Sequence, residues 1–144
     1  MEILKKIEEY FLTYDKLDEN GRIYINHMPA KAVEYSIIEI PSANGGTLQT
    51  FGRDEVKQFQ FAFDTKVFHS TGRDNINFDN SQFYSELQEW IEENNLNKVL
   101  PSVENCMSIE VLQTPYLKAL DPNGQYAIHS MSGRITYYKE RNYI

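Results

Sequence analysis

Ile3, Ile7, Tyr10, Phe11 and Tyr14 recur at three- and four-residue spacing, and Glu2, Lys5, Lys6, Glu8 and Glu9 fill the positions between them. That period predicts an amphipathic N-terminal helix of about three to four turns. The Asn20-Gly21 pair behind it is a turn signal. Arg22 to Asn26 reads as a short strand that Pro29 breaks. In the next apolar run Val33, Tyr35 and Ile37 share one phase, and Ile38 and Ile40 take the other. Such a switch predicts either a bulge or a strand covered on both sides, closed by Pro41. "SANGG" is a flexible turn, and Thr47 to Phe51 is a strand.

"GRDE" turns that strand back into "VKQFQFAF", a hairpin whose second arm alternates Phe59, Phe61 and Phe63 with Gln58, Gln60 and Ala62. The phenylalanines form one face. The other face is polar without being charged, unlike an ordinary solvated face of Lys and Glu. After a polar loop, Asp79 followed by Gln82 fits a capping box, with Asn80 and Ser81 as alternative caps. A second amphipathic helix follows. Phe83, Leu87, Trp90, Ile91 and Asn94 trace its inner face, Glu86, Glu89, Glu92 and Glu93 lie elsewhere, and Pro101 forbids continuation.

A strand over about Asn105 to Thr114, the Asp121 to Gly124 turn and a final β-like stretch with Gly133 as a candidate bulge complete the chain. The order α-β-β-β-β-α-β-β favours an α+β fold over a wound parallel sheet. We expect a mixed, largely antiparallel sheet of about five strands flanked by two amphipathic helices. With 144 residues and no internal repeat or linker-like shift, residues 1–144 form a single domain.

Composition narrows the chemistry. A net charge of −7 leaves no basic footprint for gripping nucleic acid. The single cysteine, Cys106, excludes an intramolecular disulfide and a cysteine-based zinc site, and its apolar neighbours suit a small buried hydrophobe. No secretory leader or run of 18 apolar residues appears, so a reducing cytoplasm is the expected place of synthesis and no membrane partner is expected. Phosphate-cradling glycine loops, nucleophile elbows and HExxH pairs are absent, and "NGGTLQT" reads as a plain hairpin connection. His27, His69 and His129 could converge on a metal, or one could pair with Cys106 as a nucleophilic dyad. Their spacing matches no ligand motif. We therefore expect no enzyme activity, no cofactor and no metal.

Four stretches together resemble a known group. They are "MEILKKIEEYFLTYDKLDENGRIYINHM", "AVEYSIIEIPS", "VKQFQFAF" and "SIEVLQTPYLKALDPNGQYAIHSMSGRITYYKE", with "DNSQFYSELQEWIEENN" in the place of a second helix. In order and pattern the chain is similar to the tail terminator and minor capsid proteins of long-tailed phages and prophages of Gram-positive bacteria. The resemblance implies a structural virion protein, assembled in the bacterial cytoplasm and located at the head–tail joint. It implies a small α+β domain that closes into a ring, usually hexameric, on the tail-tube protein. The ring ends tube polymerisation and offers a joining surface to the head connector. DNA passes through its channel without specific binding, and a carboxylate-lined bore would repel phosphates. A closed head-to-tail ring needs two different complementary patches on each copy. The candidate contacts are Thr47, Leu48, Gln49, Thr50 and Phe51, with Gln58 and Gln60 on the polar face. A second reading of the same acidity and tyrosine-rich surface is an immunity- or inhibitor-type module that binds a basic protein.

Overall fold

Leu4, Ile7, Tyr10 and Phe11 lie along one side of the first helix, α1 (Glu2–Phe11), and all four are buried. Leu4 belongs to this stripe although the sequence pattern pointed to Ile3, which is only partly buried. The structure, a computed structural model, describes residues 2–17, 23–25, 34–68, 74–120, 122–123 and 125–140. The expected turn at Asn20-Gly21, the break at Pro29, Val33, His27 and His69 lie outside the described residues.

After α1 come β1 (Ile23–Ile25), β2 (Glu34–Ile40), β3 (Thr47–Phe51), β4 (Asp54–Phe68), the second helix α2 (Asp74–Leu96), β5 (Cys106–Leu120) and β6 (Tyr126–Lys139). The fold is α+β, as the order of apolar patterns predicts. Its six strands form one sheet in the order β1-β2-β4-β6-β5, and β3 also pairs with β4. Among the described residues only β1 and β2 run parallel, and the other pairings are antiparallel. β6 runs along one side of β4 from Glu55 to Phe68, so β3 and β2 share its other side, β3 beside Asp54 to Lys57 and β2 beside Gln60 to Lys66. The sheet therefore has two far edges. One is β5, and the other is β1 and β3 together.

The phenylalanine alternation decides which face meets the helices. Phe61 and Phe63 are buried against α1, where the Phe11 ring stacks on Phe63 at 4.6 Å and meets Phe61 edge-on at 5.8 Å. Trp90 of α2 sits 4.9 Å from Tyr10 and 4.8 Å from Tyr14, which joins both helices over the sheet. Ile37, Ile109, Met131 and Ile135 complete the floor. Each fully buried Ile, Leu or Phe here is worth roughly 1.5–3 kcal/mol relative to exposure, so this one aromatic layer dominates folding. Gln58 and Gln60 stand on the opposite, helix-free face.

Several local expectations are corrected by tertiary packing. α2 begins at Asp74, so Asp79, Asn80 and Ser81 lie inside the helix and cannot cap it; Gln82 instead donates from Nε2 to Glu86 Oε1 at 3.1 Å. Asn, Asp and Ser read as loop because they compete locally for backbone hydrogen bonds, a weak preference that packing overrides. Tyr84, absent from the predicted inner face, is buried and donates from its hydroxyl to the His129 carbonyl. β2 pairs with β4 without a register shift, so the phase switch is no bulge; Glu34 to Ile37 are buried, whereas Ile38 and Ile40 beyond the switch are half-buried. "SANGG" is a short 3-10 turn over Ala43–Gly46 in which Asn44 and Gly45 adopt positive φ.

Gly133 is not a bulge. Its pairing with Phe61 on β4 is regular, and the register shift falls on β5 between Val111 and Gln113. A Cβ at Gly133 would stand 2.7 Å from the Glu110 carbonyl oxygen and 2.9 Å from the edge of the Phe61 ring. The glycine is there to let that ring lie flat on β6. β5 also outruns its expected end at Thr114 by six residues, passing through Pro115. Proline is tolerated because β5 is an edge strand whose outer amides need no partner.

Candidate functional site

The seven residues expected at a subunit contact divide into two groups. Thr47 to Phe51 form β3, an edge strand, and its two apolar members are prominent: Leu48 is 46% exposed and Phe51 50%. Leu48 is the residue skipped by the pairing between Thr47–Lys57 and Gln49–Val56, so it leaves the ladder. Thr47 is half-buried and donates from Oγ1 to Glu55 Oε1 at 3.1 Å; Gln49 and Thr50 are exposed. Gly52, with φ of 64°, takes the first central place of the two-residue turn to β4, as a II′ hairpin requires. The turn puts Phe51 at the tip of a short, tightly closed hairpin.

Gln58 and Gln60 are half-buried, and Gln58 is engaged. The Gln58 side-chain oxygen accepts from Arg134 Nη1 at 3.3 Å, Arg134 pairs with Glu110 at 3.4 Å, and Gln60 stands across the ladder from Arg134. Both glutamines also line a shallow groove of about 280 Å³ with Glu39, Ile40, Gly46 and Tyr137. The uncharged polar face thus includes a cross-strand network that holds a cation, a role the sequence pattern could not distinguish from an outward-facing surface.

Higher on the same face lies a feature that sequence reasoning missed. Asp64 is 1% exposed, and its carboxylate accepts from Lys118 Nζ of β5 at 2.8 Å and from the Ser130 hydroxyl of β6. Ser36 of β2 stands beside Asp64 in the ladder; its hydroxyl is buried without a hydrogen-bond partner. Four strands thus meet at one buried charge. The signal in the sequence was the acid inside "FAFDTKVF", a charge placed within an apolar run.

Beyond Val111, β5 carries a row of exposed apolar side chains. Leu112, Tyr116, Leu117 and Leu120 are each 41–49% exposed, and between Val111 and Leu120 the sole charge is Lys118. A groove of about 360 Å³ runs between this strand and α2, lined by Tyr84, Gln88, Pro115, Tyr116, Leu117 and His129. It was not foreseen, because β5 was expected to stop at Thr114.

Among the described residues, Cys106 and His129 do not come together. Cys106 pairs with Tyr137 and Leu117 with His129, so the two candidates lie eight positions apart along β6, roughly 26 Å at strand rise. His129 packs 5.4 Å from the Tyr84 ring. His27 and His69 are outside the described residues, and among the described residues no group of three His, Cys, Asp or Glu is placed to hold a metal ion. Burial pushes the Cys106 thiol up, with a weak contact to the Ser108 carbonyl opposing it. Burial likewise raises Tyr10 and Tyr14 to about 12, and Tyr84 further still. Each shift moves its group away from proton transfer at neutral pH. Among the described residues no helix is long and apolar enough to cross a membrane. Compared with known proteins, the chain matches no family model and no curated protein sequence.

Proposed function

We propose that this chain is a structural subunit of a long-tailed phage or prophage, which caps the tail tube as a ring, stops its growth and presents the surface that joins the head connector. The observation that carries the reading is the distribution of exposed apolar side chains. Leu48 and Phe51 sit on one far edge of the sheet and Leu112, Tyr116, Leu117 and Leu120 on the other. Two unlike patches on opposite edges are what head-to-tail closure requires. The α-β-β-β-β-α-β-β order and the phenylalanine-alternating strand agree with the family resemblance. The protein acts through its surfaces, without catalysis or a cofactor, and DNA passes through the ring without specific contacts.

One observation favours the inhibitor-type alternative. α2 carries six carboxylates, Asp74, Asp79, Glu86, Glu89, Glu92 and Glu93, and no Lys or Arg. That composition suits a basic protein partner as well as it suits a phosphate-repelling bore. Sedimentation velocity over a wide concentration range separates the two. A ring subunit gives one closed oligomer of fixed size. An inhibitor stays monomeric until a basic partner is added.

A further inference from the structure

We infer that the outer half of β5, Leu112 to Leu120, is an arm that opens from β6 while the rest of the sheet stays folded, and that Lys118 on Asp64 is its latch. The inference concerns a single chain and does not depend on the ring reading. The two halves of β5 are built differently. From Ser108 to Val111 the strand pairs in unbroken register with Thr136 to Gly133. α2 adds to that hold, since the Ile109 amide donates to Asn95 Oδ1 at 2.9 Å. Ile109 belongs to the hydrophobic core, and Cys106 and Val111 pack against it.

Past Val111 these supports end. Register shifts fall between Val111 and Gln113, between Gln113 and Tyr116, and between Leu117 and Ala119, so the ladder survives only as short pieces. No residue from Leu112 to Leu120 belongs to the core, and all but the half-buried Pro115 are exposed. The groove of about 360 Å³ lies where α2 would otherwise brace Pro115, Tyr116 and Leu117. Few buried apolar contacts and a broken ladder at a wet edge mark a segment that opens at a lower free energy than the whole fold.

Lys118 is the exception. It is the residue skipped between the Leu117–His129 and Ala119–Ile128 pairs, and its ammonium reaches past β6 to Asp64 on β4 at 2.8 Å. An extra residue in one strand re-aims its side chain out of the regular alternation, which is how an arm residue finds a carboxylate two strands away. Asp64 is buried, and it loses this ammonium whenever the arm lifts, so the pair favours the closed form. The lifted arm carries Tyr116, Leu117 and Leu120 with it and bares the edge of β6 from Ala127 to Ser132. The apolar row on this side of the sheet therefore rides on a movable segment.

Native-state hydrogen exchange of the full chain, read amide by amide by NMR over a series of low urea concentrations, tests this. In the wild type, amides of residues 112–120 that bond to β6 should exchange at least about tenfold faster than those of residues 108–111. Their rates should also depend little on urea, because lifting the arm exposes far less surface than unfolding. In Lys118→Met, protection across 112–120 should fall by at least about another tenfold, while residues 108–111 and 59–63 stay protected. One rate and one urea slope for both halves of β5 in the wild type overturns the arm, and that result needs no variant. A Lys118→Met chain in which residues 112–120 are unchanged, or in which both halves lose protection together, overturns the latch and the inference with it.

Discussion

Removing the more exposed partner of the Lys118–Asp64 pair should cost more than removing the buried one. Asp64 is 1% exposed on its side chain and Lys118 is 45% exposed, with 2.8 Å between Nζ and the carboxylate oxygen. In Asp64→Ala the ammonium swings into water, and the loss is limited to two hydrogen bonds and a Ser130 hydroxyl left buried without its acceptor. That amounts to about 1–3 kcal/mol. In Lys118→Met the apolar stem is retained but the carboxylate stays buried with a single hydroxyl for support. An uncompensated buried charge costs about 3–5 kcal/mol. The double variant should resemble Asp64→Ala, because once the carboxylate is gone the lysine has nothing to neutralise. Urea denaturation at pH 7, with all three variants and wild type fitted to a common slope, measures the order directly. If Lys118→Met costs less than about 1 kcal/mol, the pair behaves as an ordinary surface ion pair and the reasoning fails.

Gly133→Ala should lose about 1–3 kcal/mol by forcing a methyl group against the Glu110 carbonyl and the Phe61 ring; an unchanged thermal midpoint would show that the ring yields freely. Phe11→Ala, which removes the ring stacked on Phe63, should cost about 3–5 kcal/mol in the same assay, with Trp90 emission shifted to the red in the native state. Alkaline titration should find a steep loss of stability. Tyr10 and Tyr14 are held above the ordinary tyrosine value of 10, at about 12, by burial. Folding therefore favours their neutral forms: their contribution is fully present below pH 10 and is lost as pH rises through about 12. Chemical denaturation at pH 9, 10.5 and 11.5 checks the sign, and stability that rises over that window would contradict the burial of both hydroxyls.

Much of the fold was legible because periodicity reports which face is buried. The alternation of Phe59, Phe61 and Phe63 and the 3.6-residue stripe through Leu87 and Ile91 each gave the right element and the right face. Legibility failed where a residue's role depends on a partner distant in sequence. Gly133 looked like a bulge because its reason, the Phe61 ring, lies 72 positions away. Asp64 looked like one more charge because Lys118 and Ser130 reach it from other strands. The start of α2 was misplaced by five residues because Asp, Asn and Ser carry a local turn preference that says nothing about what the helix packs on. The candidate contact was partly legible. Thr47 to Phe51 could be read as an exposed strand, but the groove on the far edge depends on β5 continuing through Pro115, which a sequence-only reading treats as a stop.

The tail-length distribution of particles made without this protein tests the central claim most directly. When the gene is inactivated in the genome that carries it and the resulting lysate is viewed by electron microscopy, we predict filled heads without tails and tubes that overrun their normal length, both restored by the wild-type gene in trans. Intact, joined particles with tails of normal length would contradict the account.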